Sequence, residues 1–281
     1  MIRKFIVAAG VLAACSASAQ TAKYAPVRPA PVGALILTLP SSHVADAGTW
    51  EVRFSHRFNQ NVDQNTVHSL FGLDSGANVG IGLSYVPFRD LEIALLRNTA
   101  LETYEASGKY EIVQQAKAIP FTAALRAGVD WRNSAGLADR SSLFAQAIVS
   151  RQFGRLDLYV LPTYVTNAGR VASGSTSAAL FKHAINVPAG AALQLGGGFS
   201  LAAEVIPKNR DLPSSLASNV GWSAGVKHAI GGHYFEVLLT NTNAMSVDQY
   251  ATSTFNGGGL RTRDRRLGFN IERRWGKPVG R

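Results

Sequence analysis

The chain has 281 residues, a formal charge of +10, 27 glycines and 9% aromatics, but only 16% charged residues. That length suits one large all-β domain or two small ones, and the composition suits strands and turns better than amphipathic helices. The positive charge is scattered along alternating segments rather than massed in one patch, which with an export signal argues against nucleic acid as a partner.

Export is written at the N-terminus. Arg3 and Lys4 precede the apolar run Phe5–Ala14, and Ala17-Ser18-Ala19 forms a small-residue cleavage site before Gln20. Residues 1–19 therefore read as a signal peptide, too short for a membrane helix. An overlapping signal, Leu12-Ala13-Ala14-Cys15, resembles a lipobox, in which Cys15 would be lipidated. Cys15 is the only cysteine, so a chain cut after Ala19 has no disulfide and no thiolate metal site.

Residues 20–48 form a periplasmic leader carrying Pro26, Pro29, Pro31 and Pro40. Proline makes its first half an extended arm. Ala34–Leu39 is apolar and leaves three readings open: a short strand, a plug against the base of the domain, or part of a plain tether.

From Thr49 the pattern changes. In Thr49–Phe58, TWEVRFSHRF, Trp50, Val52, Phe54 and Phe58 share one face and Glu51, Arg53, Ser55 and Arg57 the other. That is the period of a strand. Twelve such segments are expected, near 49–58, 77–86, 91–98, 102–115, 121–132, 141–153, 156–167, 184–195, 198–205, 220–229, 233–242 and 264–275. At about 9–13 residues most match tilted membrane strands better than those of soluble sheets. Short connections such as Pro87–Asp90, Gly154-Arg155 and Gly196-Gly197 alternate with long ones such as Asn59–Gly76 and Asn243–Arg263; Thr99–Leu101 is the exception. The alternation predicts an all-β, antiparallel, up-and-down transmembrane barrel over 49–275, with turns on the periplasmic side and loops outside. Residues 276–281 form a tail. The loops are expected to face solvent, being rich in Gly, Ser, Thr, Asn and Ala, as in Gly169–Ala179 and Thr252–Gly259.

The alternation then assigns faces. The lipid side should carry an aromatic girdle of Trp50, Phe58, Tyr85, Phe121, Trp131, Phe153, Tyr164, Trp222, Phe235 and Trp275. His56, Arg97, Arg151 and Arg273 share that side near strand ends, where they can reach the interface. The lumen should collect Glu51, Arg53, Arg57, Glu105, Lys109, Glu111, Arg126, Asp130, Glu204, Lys227, Glu236 and Glu272. Mixed signs there suit cross-strand bracing, in which Arg53 and Arg57 should take part, or a narrow pore for small polar solutes.

The motifs Gly48–Phe58 with SHRF, Leu70-Phe71-Gly72-Leu73-Asp74, Gly108-Lys109-Tyr110, Arg151-Gln152-Phe153, Gly231-Gly232-His233 and Gly268-Phe269-Asn270-Ile271 resemble, in order and spacing, a bacterial β-barrel family catalogued as domain-of-unknown-function family 5777. The resemblance covers about residues 34–275. It implies an envelope barrel and carries no catalytic residues.

The residues themselves point away from an enzyme. A membrane lipase needs a His and a Ser two apart on the lipid side, but the neighbours of His56 at that spacing are Phe54 and Phe58, and Ser55 faces away. His228 and His233 flank Gly231-Gly232 and could approach, with no third ligand to make a metal site. No cofactor is expected. The partner is outer-membrane lipid. A channel leads. The alternatives are a non-conducting barrel docking a periplasmic protein through its leader and turns, and a soluble or lipid-anchored periplasmic β-protein.

Overall fold

A computed structural model describes residues 33–64, 66–134, 141–167, 183–209, 219–251 and 263–276. Cys15 and the signal segment lie outside the described residues, as do the loop stretches Gly169–Ala179 and Thr252–Gly259. Fourteen strand segments run in chain order: β1 (Trp50–Phe58), β2 (Ala77–Phe88), β3 (Leu91–Asn98), β4 (Thr103–Val113), β5 (Thr122–Arg132), β6 (Ser141–Phe153), β7 (Leu156–Val160), β8 (Thr163–Thr166), β9 (His183–Asn186), β10 (Ala189–Gly196), β11 (Phe199–Ile206), β12 (Gly221–Ile230), β13 (His233–Thr240) and β14 (Arg266–Trp275).

They make twelve staves. β7 and β8 both pair with β6 and are one stave broken at Leu161-Pro162. β9 and β10, broken at Val187-Pro188, are another. A proline has no N–H to give a ladder, so each break falls where a donor is missing. The carbonyls of Pro162 and Pro188 still accept, from Ala147 and Leu161. Every stave is antiparallel to its neighbours, and β14 pairs with β1 from Trp50↔Trp275 to Arg57↔Gly268, which closes the barrel. Short connections cluster at one end of the barrel, the turn end, and long ones at the other, the loop end, where the short link between Asn98 and Thr103 is the exception. Among the described residues no helix is long and apolar enough to cross a membrane.

The barrel is apolar outward. Ile81, Leu95 and Val237, in the middle of their strands, and Leu143 near the start of β6 are 57–62% exposed. A soluble protein does not leave such a belt in water, and a membrane barrel requires it. Of the girdle aromatics, Trp50, Phe121, Trp131, Phe153, Tyr164, Phe235 and Trp275 are exposed, and Phe58, Tyr85 and Trp222 are partly covered. Trp50 stacks on Tyr85 with ring centroids 4.3 Å apart at the turn end.

The interior has two sectors. One is polar, built from Glu51, Ser55, Arg57, Asn78, Asn98, Glu105, Lys109, Asp130, Asn270 and Glu272. The other is apolar, with Phe144, Ile148, Tyr159, Leu161, Val165, Ala192, Ala202, Ile206 and Leu238 in one buried cluster.

Candidate functional site

Two inserts fill the lumen. From the turn end, the leader turns inward as a hairpin. Ser41 N–H donates to Ala34 O at 2.9 Å and Ile36 N–H to Leu39 O at 2.8 Å, which puts a tight turn at Ile36–Leu39. Ala34–Leu39 is therefore a plug, and it reaches well up the barrel rather than capping its base. Ile36, Leu37 and Leu39 are fully buried in the same cluster as the apolar wall.

The wall holds this turn by its main chain. The Glu204 carboxylate accepts from the amides of Leu37, Thr38 and Leu39 at 2.7–3.0 Å. Lys227 Nζ donates to Leu35 O at 2.5 Å and Ile36 O at 2.9 Å. Asn270 and Arg57 donate to Leu37 O at 2.7 and 3.2 Å. Nearer the turn end, Glu272 and Glu111 accept from the amides of Ala34 and Val44, and the Ser42 and Ser150 hydroxyls meet at 2.6 Å. Gly190 makes room: a Cβ there would lie 2.8 Å from Ile36 Cδ1. Buried amides and carbonyls need partners, and here the wall supplies them.

From the loop end, part of the longest connection folds in. Asn241–Ala251 is buried throughout and ends in a single helical turn, α1 (Val247–Ala251). This corrects the expectation that the long connections face solvent: non-local polar contacts pull this one inward. Arg132 pairs with Asp248 at 2.7 Å, both nearly inaccessible. Asp130 and Glu105 accept from the amides of Asp248 and Val247 at 2.9 and 3.1 Å. Gln249 Nε2 donates to Asn98 Oδ1 at 3.1 Å, and Gln146 Nε2 donates to Tyr250 Oη at 2.7 Å. Gly80 leaves room for Met245, whose sulfur would sit 2.7 Å from a Cβ.

Between the inserts lies a cavity of about 40 Å³ touching Thr38, Glu51, Arg53, Glu105, Lys109, Arg126, Met245 and Tyr250. A water needs roughly 10–15 Å³ on this measure, so the space holds a few waters and no larger solute.

The charged residues assigned to the lumen by alternation sit as follows. Glu51, Arg57, Glu105, Lys109, Glu111, Asp130, Glu204, Lys227, Glu236 and Glu272 are buried inside the barrel, and Arg53 and Arg126 are partly covered beside the cavity. Cross-strand pairs form as Arg126–Glu105, Lys227–Glu236, Lys109–Glu92 and Arg274–Glu51. Arg57 braces through Asn270 rather than a carboxylate. Arg53 corrects the bracing expectation: among the described residues it makes no hydrogen bond or ion pair, and Glu51 pairs with Arg274 instead.

Several functional contacts escaped the alternation. Arg132 lies one step beyond Asp130 on the same face, so extending the parity to the strand end finds it. Asp248 and Gln249 sit in a polar loop with no local signal of burial. In the leader, outside the spanning strands, burial holds the His43 imidazole down to about 4, helped by Lys109 and then Arg274.

Outside the barrel, His56 stacks on Phe269 at 5.1 Å and faces Phe269 and Val79 across the ladder. His228 stacks on Phe199 at 4.0 Å, while His233 meets Arg273 at 2.8 Å, so the two histidines do not converge. Among the described residues no three His, Cys, Asp or Glu side chains gather as a metal site requires.

Residues 33–275 match the family model of the membrane bound beta barrel domain DUF5777. The chain belongs to that family. The match begins at Gly33, where the leader enters the barrel, so the family's domain includes the plug as well as the wall. No curated protein matches the sequence. Among solved structures, the NanC porin superposes with a TM-score of 0.50 at 9% identity, over 81% of this chain and 99% of that one. The outer membrane phospholipase A of Escherichia coli gives 0.45 at 11% identity, over 82% and 91%. The COG4313 outer membrane channel of Pseudomonas putida F1 gives 0.47 at 12% identity, over 83% and 97%. At these identities the likeness is one of fold.

Proposed function

We propose that this protein is an outer-membrane channel for small polar solutes that rests closed, with the leader as its stopper and the Asn241–Ala251 loop as its constriction. The observation that carries this is the way the leader is held. Its turn is fixed by hydrogen bonds to side chains of an already closed wall, so the wall does not depend on it for its own pairing. A stopper attached in that manner can leave without unmaking a ladder. The polar sector, with Glu51, Arg53, Glu92, Lys109 and Arg126, would then line the freed path. Mixed signs favour small zwitterionic or neutral polar solutes over either ion class.

Single-channel recording in a planar bilayer tests it. The intact chain is expected to be silent. A chain in which residues 34–42 and 242–251 are both replaced by short Gly-Ser linkers is expected to give discrete steps. A folded, silent double variant would return the protein to a non-conducting barrel, whose leader then serves a periplasmic protein partner. Steps of equal size from the intact chain would refute the closed resting state.

A further inference from the structure

The seat of the leader handles main chain first. Three consecutive amides, Leu37 to Leu39, meet one carboxylate, and three consecutive carbonyls, Leu35 to Leu37, meet Lys227, Arg57 and Asn270. Among the described residues Glu204 has no hydrogen bond except to those amides. Successive N–H groups around a carboxylate form a backbone nest, here with the anion on the wall and the nest on the occupant. Any peptide carries these groups. The remaining specificity is apolar: Ile36, Leu37 and Leu39 lie in one buried cluster with Ile148, Leu161 and Ile206, and Gly190 opens the wall for Ile36.

We propose that the leader is the tethered occupant of a peptide-binding site inside the barrel, and that the site takes a free short peptide with two or three apolar residues in a tight turn when the leader withdraws. This shares the displaceable leader with the closed-channel reading and does not require conduction. A tethered occupant competes at an effective concentration near the millimolar range, so a free peptide binds the intact chain weakly. Weakening the leader, and leaving the wall untouched, should reveal the site.

The probe is a fluorescein-labelled heptapeptide with the sequence of Ala34–Pro40, followed by polarisation in detergent micelles. Three full-length chains are compared. Leu37→Ser with Leu39→Ser strips the leader of its buried side chains and is expected to bind the probe roughly tenfold or more tighter than the wild type. Ser42→Cys with Ser150→Cys, oxidised, pins the leader where the two hydroxyls now meet and is expected to abolish binding; reduction should restore it. Binding that persists in the oxidised chain, as from a probe dissolving in micelles, overturns the proposal. So does the absence of saturable binding in a folded serine variant. If that variant does not fold, the probe is raised to the millimolar range of the tethered competitor: saturable binding to the reduced chain that oxidation abolishes supports the site, and no binding to the reduced chain overturns it. Probe binding with silent bilayers would keep the site and remove the channel; steps without probe binding would do the reverse.

Discussion

Glu204 is 5% exposed, and three amides converge on its carboxylate. Hydrogen bonds to a charged acceptor contribute about 1.5–3 kcal/mol each, against about 0.5–1.5 kcal/mol for a neutral one. Glu204→Gln keeps the shape and removes the charge. The amides of Leu37–Leu39 should then exchange with solvent at least about tenfold faster, one factor of ten for each 1.4 kcal/mol lost. Unchanged protection would mean that Glu204 does not hold the turn. Asp248 is the corresponding residue on the other insert. Asp248→Ala removes the carboxylate that pairs with Arg132, which is 1% exposed, and breaking a buried pair costs about 3–5 kcal/mol. The folded band on unboiled gels should convert at a lower temperature; no change would count against the pair. Most of these wall residues were legible because a stave keeps a period of two, and Glu51, Arg57, Lys227 and Glu272 follow it. Arg53 shows the limit of that rule: parity tells which way a side chain faces and says nothing about whom it meets.

At the scale of elements, the leader and the loop are the parts that sequence described least. Ala34–Leu39 is apolar, and a plug, a strand and a tether all accept apolar residues. Only the arrival of Glu204, Lys227 and Asn270 from three distant staves selects the plug. The Asn241–Ala251 segment is polar and resembles a surface loop, because its burial depends on Asn98, Asp130 and Arg132, far away in the chain. The apolar sector was hidden for another reason. Along β6, inward Phe144 and Ile148 alternate with outward Leu143 and Val149, so both faces are apolar and the period carries no sign. The leader also has a pH response. His43 is held neutral down to about 4 while seated, whereas released it protonates at its ordinary value near 6.5. A proton favours the released form, so seating weakens as pH falls from about 6.5 to about 4 and then levels off. Protease sensitivity of the leader should rise across that window in the wild type and rise less in His43→Gln. Identical profiles would remove His43 from the account.

For the whole molecule, closure by hydrogen bonds and occupancy by inserts are separate facts. The twelve staves close through β1 and β14 and present lipid with Ile81, Leu95, Leu143 and Val237. That much follows from alternation and connection length. The inserts then turn a membrane barrel into a body with a buried core, in which Leu37 from the leader and Val247 from the loop belong to one cluster. An empty barrel of twelve staves would leave an open lumen; here the leader and the loop fill it.

The leader sits in the lumen, and the membrane-bound protein is expected to keep it there. Ser42→Cys with Ser150→Cys, expressed in intact envelopes, tests it most directly, with Cys15 the only other cysteine to control for. Mild oxidation should join the two positions nearly completely, seen as a mobility shift that reductant reverses, and should protect both from a membrane-impermeant maleimide. Two thiols that stay free and are both labelled would place the leader outside the barrel and contradict the account.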